Sequence, residues 1–283
     1  MIRQHLLSVD LEDWYHSGRL KHFVTDSNRV SRIRYSTDRI LDLLERKGIF
    51  ATFFILGEIA RKQPELVRKI RQKGHEIASH GYSHTPLWYL SRKDAQTEIR
   101  ETNKILSDIT GEKVQGFRAP HYSLDERTSW LIDILEEEGF EYDSSIFPVK
   151  TSLHGINGAG LSPYYISGKN LLSHTPGASL LEIPLTVYDA GPVRIPCTGG
   201  VYGRYLPRPV LTGLLKSIAK KRVINFYFHP WETDAGIPRL NVPLGNRLVA
   251  YYNIAGYLDK IEHLTEVFSF TSFERMKENL LIR

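Results

Sequence analysis

A single cysteine, Cys197, stands among 283 residues, which excludes an intramolecular disulfide and any metal cluster built from several thiolates. No run of apolar residues approaches eighteen, so no transmembrane segment is expected. The first residues, Met1-Ile2-Arg3-Gln4-His5-Leu6-Leu7, pass directly into a strand pattern without the apolar core of a signal peptide, and a cytoplasmic protein of bacterial type is expected. Blocks of like charge are missing too. The net charge of +5 comes from Lys and Arg spread along helices (Arg46, Lys47, Arg68, Lys69, Arg71, Lys73). That is the pattern of a solvated basic face, and no nucleic-acid partner is expected. No stretch has the composition of a flexible linker, so residues 1–283 are expected to form one domain. Nothing in the pattern specifies an oligomeric state.

What is there points to an α/β protein. Hydrophobic residues make up 41% and charged residues 24%, the balance of a soluble globular chain long enough for one large core. Leu6 to Asp10 reads as a buried strand. Ser36 caps a helix with the stripe Ile40, Leu41, Leu43 and Leu44; Gly48 stops it, and Ile49 to Leu56 is a β-branched and aromatic strand. Three further rounds follow. Pro64 opens a helix that Gly74 ends before the strand His75 to Ser79. Ser91 opens one that Gly111 ends before Val114 to Phe117. Asp125 opens one that Gly139 ends before Phe140 to Asp143. Such rounds build parallel strands with helical crossovers. Residues 150–222, with Leu153-His154-Gly155 and many further glycines and prolines, read as short strands such as Leu180 to Ile183 joined by long loops. Residues 223–283 complete the barrel with the strand Val223 to Phe228, a helix over Tyr251 to Leu264 and a last strand over Val267 to Phe270.

The polar residues fall at strand ends. Asp10 and Glu12, His80, Arg118, Asp143 and His229 each follow an apolar strand, and parallel strands in a barrel bring those ends to one face. His80 and His84, four residues apart, put two imidazoles on one side of a turn, as a divalent metal requires; alone they read equally as loop histidines. Asp10-Leu11-Glu12-Asp13 offers one carboxylate to a metal and another as a base, or else an acidic strand cap. Alternation along a strand puts Asp10 and Glu12 on one side and Asp13 opposite. Arg118 is suited to hold a base carboxylate by a bidentate pair, or to sit on the surface before Pro120. His229 is a tunable imidazole or a satisfied core histidine. A His-Glu-x-x-His peptidase motif starting at His75-Glu76 fails, because position 79 is Ser79.

As an ordered set these residues resemble the polysaccharide deacetylases of the NodB-homology family, carbohydrate esterase family 4. The corresponding motifs are Val9-Asp10-Leu11-Glu12-Asp13, His80-Gly81-Tyr82-Ser83-His84, Arg118-Ala119-Pro120, Asp143 and Phe228-His229. Trp14 after the acidic cluster, Tyr142-Asp143-Ser144-Ser145-Ile146-Phe147-Pro148 and His229-Pro230-Trp231-Glu232 are similar to the exopolysaccharide and exosortase-associated subgroup. The resemblance implies a deformed (β/α) barrel, a bound divalent metal, zinc foremost, and a carbohydrate substrate that loses N-acetyl groups. It further implies His80, His84 and a carboxylate as metal ligands, Asp10 as base oriented by Arg118, and His229 as acid. The family's two adjacent aspartates are separated here by Leu11. Alternation assigns Glu12 as third ligand, with Asp13 the alternative. The tryptophan that accompanies the family's later aspartate is missing beside Asp143, and Trp231 is the candidate to replace it. Two other functions stay open: a cyclic-amide hydrolase acting on allantoin-like substrates, and a carbohydrate-binding protein without catalysis.

Overall fold

A computed structural model describes residues 4–151, 155–277 and 280; Met1-Ile2-Arg3 and Leu153-His154 lie outside the described residues. The first half is the expected succession. Strands β1 (His5–Leu11), β2 (Thr52–Ile55), β3 (Glu76–Ser79), β4 (Gly116–Phe117) and β5 (Tyr142–Asp143) alternate with helices α1 (Ile33–Lys47), α2 (Gly57–Lys62), α3 (Pro64–Gln72), α4 (Arg92–Thr110) and α5 (Leu131–Glu137). Then come β6 (Tyr164–Ile166), β7 (Leu180–Glu182), β8 (Val187–Asp189), β9 (Arg194–Pro196), α6 (Gly200–Tyr205), α7 (Arg208–Ala219), β10 (Asn225–Phe228), α8 (Leu244–Tyr251), α9 (Tyr257–Val267), β11 (Phe270–Thr271) and α10 (Phe273–Met276).

One curled sheet runs β10-β1-β2-β3-β4-β5-β7-β6, with β11 also on β1; every pairing is parallel except that of β6 with β7. It is an α/β half-barrel. Side chains alternate across it, as the two-residue period of a strand demands. Leu7, Val9, Leu11, Phe53, Ile55 and Phe117 face outward into the main core beneath the helices. Leu6, Phe54, Ala78, Tyr142, Leu181 and Ile183 face inward, where Phe273 and Met276 of α10 pack among them. Among the described residues no ladder joins β7 to β10. Asn225 spans that seam instead, its side-chain amide donating to Ile183 O (3.1 Å), Pro184 O (3.2 Å) and Ser144 Oγ (3.1 Å).

Several boundaries differ from the sequence expectation. Ser36 lies inside α1, its hydroxyl bonded to Arg32 O and Asp234, and the helix starts at Ile33. Asp125 caps a 3-10 turn, Glu126–Thr128, with α5 beginning only at Leu131. The helix expected over Tyr251 to Leu264 begins only at Tyr257, as α9; Tyr251 ends α8, and Asn253 takes a left-handed φ of 50° between them. Gly48 and Gly111 end α1 and α4 at φ 62° and 74°, as read from sequence. No helix among the described residues is long and apolar enough to cross a membrane.

Candidate active site

The sheet register fixes three of the site's chain segments at one level. His80 N–H donates to Ile55 O and Arg118 N–H to Ser79 O, each continuing its ladder one residue past the strand. Those C-terminal ends surround β1, which carries Asp10. Glu12 arrives by another route than the expected alternation: β1 stops at Leu11, and the Glu12 N–H turns back onto Asp10 O at 2.9 Å.

Glu12 Oε1 then stands 3.2 Å from His80 Nε2, 2.8 Å from His84 Nε2 and 3.5 Å from His229 Nε2. His80 Nδ1 donates to Arg118 O at 2.8 Å, which leaves Nε2 with its lone pair free. His84 Nε2 is buried and, for all its closeness to Glu12, makes no hydrogen bond. Two imidazole nitrogens and one carboxylate oxygen lie within 4.8 Å of one another, all buried, a donor set that fits a divalent transition metal. Burial pushes the Glu12 carboxyl up, but the surrounding imidazoles, His84 and His229 foremost, hold it well below the usual range. Burial pushes the His84 imidazole below its ordinary value, towards the neutral form that a metal ligand needs, while Glu12 pulls it back up.

Asp13 does not join this group. Its carboxylate accepts from Trp14 N (2.9 Å), Ser31 Oγ (2.5 Å), Arg32 N (3.0 Å) and Ile33 N (3.3 Å). It therefore caps the 3-10 helix Trp14–His16 and the start of α1 together, leaving no oxygen for a cation. Of the two carboxylates left open by the sequence, Glu12 is the one beside the histidines.

Asp10 is 1% exposed and held from two sides. Arg118 Nη1 donates to Oδ1 at 2.6 Å, and the Tyr122 hydroxyl donates to Oδ2 at 3.1 Å. The expected bidentate pair is thus a single bond. Arg118 spends its other donors on Ser8 Oγ, Ser144 O and Ser144 Oγ, while its guanidinium lies 3.9 Å over the Phe54 ring. His84, His121 and Tyr122 take left-handed backbone (φ 58°, 56° and 51°), a strain on the order of 1 kcal/mol each gathered around this point. The His121 ring lies 4.4 Å from that of His84, tilted by 41°, with its Nε2 buried and unpartnered, and burial holds its imidazole well below the ordinary value.

His229 completes the ring of side chains. Its side chain keeps 15% exposure against 5% for Glu12, so the site opens on its side. Trp231 stacks on it at 5.7 Å and 22°, the place the sequence offered that residue. Its Nδ1 is 2.8 Å from Glu232 Oε2, and Glu232 is paired in turn with Arg204 at 2.9 Å. Burial pushes His229 down, but Glu12 and Glu232 raise it to about 9. Asp143 stays away. It sits opposite Glu182 in register, on the face of the sheet opposite Tyr142, with Ser145 Oγ on its Oδ1. Burial lifts Asp143 to about 6; burial and Asp143 together lift Glu182 well above the carboxylate range. Glu232, Arg204 and Tyr122 received no role from sequence reasoning. Glu232, three residues after His229 across a proline turn, had the spacing of a capping box; Arg204 left no signal.

Residues 28–142 match the family model described as polysaccharide deacetylase. Over that stretch the chain is similar to polysaccharide deacetylases. Residues 144–278 match a second model, described as a domain of unknown function (DUF3473). The deacetylase match contains His80, His84 and Arg118; Asp10 and Glu12 precede it, and His229, Glu232 and Arg204 lie in the second match. The peptidoglycan-N-acetylglucosamine deacetylase of Bacillus cereus is 29% identical over 147 residues, 52% of this chain and 50% of that protein. A peptidoglycan deacetylase-like protein of Gibberella zeae is 30% identical over 196 residues, 65% of this chain and 57% of that one. The chain spans about half the length of these curated relatives. A Mycobacterium smegmatis structure, provisionally described as a polysaccharide deacetylase, superposes with a TM-score of 0.63 at 18% identity, covering 98% of this chain and 91% of that one. The Puue allantoinase superposes at 0.58, also at 18% identity, covering 94% and 85%. At such identity both speak for the deformed-barrel fold.

Proposed function

We propose that this chain is a metal-dependent amide hydrolase that removes N-acetyl groups from the amino sugars of a polysaccharide or its oligosaccharide precursor. The observation that carries the reading is the convergence of His80, His84 and His229 on one Glu12 oxygen, beside an Asp10 held by Arg118. The Bacillus cereus relative is named a peptidoglycan-N-acetylglucosamine deacetylase, which supports the substrate class. The four-residue run His229 to Glu232 supports an exopolysaccharide within that class. Residues 1–283 are read as one domain, since strands from both matched segments neighbour each other in one sheet.

His80, His84 and Glu12 would hold the metal, zinc by the chemistry of the donor set. When bound, it supplies a Lewis acid that polarises the acetyl carbonyl and acidifies water. Asp10 accepts the proton that water loses on attacking the carbonyl carbon. Arg118 and Tyr122 fix both oxygens of that carboxylate, so its lone pairs stay aimed. As the C–N bond breaks, His229 gives a proton to the departing amine, and acetate and a free amino sugar result. Water and the amide balance the products with no other reactant.

The test is acetate release from N-acetylhexosamine oligomers by protein treated with chelator and then reloaded with zinc. Release that stops and returns is expected. Metal-loaded protein that releases no acetate, while still binding the oligomer, would leave a carbohydrate-binding protein in its place.

A further inference from the structure

His229 is fixed by side chains that the first half of the barrel does not supply. Glu232 Oε2 accepts from the His229 backbone N–H at 3.0 Å and from Nδ1 at 2.8 Å. A carboxylate can only accept, so Nδ1 carries a proton and Nε2 is the atom presented towards Glu12. The second oxygen of Glu232 accepts from Arg204 Nε at 2.9 Å. Arg204, 1% exposed, sits in a cage of carbonyls: Nη1 donates to Ala250 O (3.3 Å) and Tyr252 O (2.7 Å), and Nη2 to Val249 O (2.8 Å). Both oxygens of Glu232 and four of the five N–H groups of Arg204 are thereby used. A Cβ on Gly200 would lie 3.7 Å from Glu232 Oε1 and 3.9 Å from His229 Cε1.

We infer that Glu232 is the positioning residue for His229 and Arg204 its anchor, so that the segment from α6 to the end of α8 belongs to the catalytic apparatus. This rests on His229 serving as proton donor. A buried pair of this kind is not needed for stability as such, since apolar residues of equal volume commonly replace one without loss. Its geometry serves orientation instead. Arg204 keeps Glu232 ionised and still, and Glu232 stops the imidazole from rotating or exchanging tautomers.

The experiment compares the full-length, zinc-loaded protein with Glu232→Gln, Glu232→Asp and Arg204→Lys. A glutamine cannot satisfy both neighbours: with its oxygen on Arg204, its NH2 faces the His229 donors, and the reverse leaves Arg204 facing NH2. The first readout is the His229 Nδ1 proton, expected in the unsubstituted protein as a slowly exchanging low-field resonance in 15N-edited spectra and lost in Glu232→Gln. The second is the kinetic split on N-acetylglucosamine oligomers: kcat about 10²-fold lower in Glu232→Gln with KM and zinc content unchanged. Substantial recovery is expected in Glu232→Asp and an intermediate loss in Arg204→Lys. Should Glu232→Gln fail to fold, Arg204→Lys carries the same two readouts. A retained Nδ1 resonance, or a kcat unchanged beside it, overturns the proposal and leaves Glu232 as a turn cap. If the unsubstituted protein releases no acetate, the deacetylase reading falls, while the resonance still decides whether Glu232 fixes the ring.

Discussion

Residues 5–143 and residues 144–277 bring charged groups to the same opening by different means. In the first part the backbone does it: His80 and Arg118 each follow a ladder by one residue, and Asp10 lies in the central strand. In the second part side chains do it, with His229 oriented by Glu232, Glu232 by Arg204, and Arg204 by three carbonyls around the end of α8. A ladder leaves a periodic trace in sequence. A chain of side-chain bonds between residues 204, 232 and 249–252 leaves none, and it depends on buried charges whose loss is costly.

The largest effects should separate the two parts by chemistry. His84→Ala is expected to lose the metal and turnover together, whereas His229→Ala should keep the metal and lose 10²- to 10⁴-fold in turnover, roughly the contribution of a general acid. Elemental analysis beside acetate release reads both, and metal loss in both variants would erase the division. Next is Arg204→Met, which leaves Glu232 buried without its cation. Destabilisation of about 3–5 kcal/mol in urea is expected, and a change below 1 kcal/mol would show the cage to be dispensable.

A smaller effect belongs to the first part and depends on pH. His75, 2% exposed, accepts from Ala51 N at 3.2 Å. Burial, then Lys73 and Arg275, depress its imidazole to about 4. The unfolded chain binds this proton near pH 6.5 and the folded chain only near 4, so the stabilisation is complete above 6.5 and is lost as pH falls through that window. The full loss is about 3 kcal/mol. Urea midpoints from pH 7 to 4 should fall less steeply in His75→Asn; parallel curves would assign the slope to other groups. The smallest contrast is between two glycines. Gly48→Ala meets nothing within 4 Å but keeps φ at 62°, and should cost about 1 kcal/mol. Gly199→Ala should cost more and also slow turnover, because its Cβ would fall 1.7 Å from Tyr227 Cε1 behind the site. Equal midpoint shifts would contradict the tighter packing of the second part.

Much of the first part was legible from sequence for this reason. Apolar stripes, the capping Ser91 and terminal glycines are local signals, and they placed the strand ends with Asp10, His80 and Arg118 on one face. Asp143 shows where the argument stops. It follows a strand as Arg118 does, yet alternation turns it to the outer face, onto Glu182. One boundary went astray through a tertiary contact: Ser36 looked like a cap, but Asp13 caps α1 from a distance of twenty residues. The choice between Glu12 and Asp13 turned on that same contact. The role of Glu232 was hidden because a glutamate three residues after a histidine is ordinary, and only the fold shows Arg204 behind it.

Phe273 and Met276 fill the barrel where its strands begin, and the Phe273 N–H is bonded to Thr52 Oγ1 at 2.9 Å. The vessel has a floor. Among the described residues the strand-start end is thereby filled, so under the proposed reaction acetate leaves at the strand-end face, where the polymer arrives. Under the proposed reaction, a long chain lying across the mouth would delay its own by-product, and short oligomers would clear the doorway sooner.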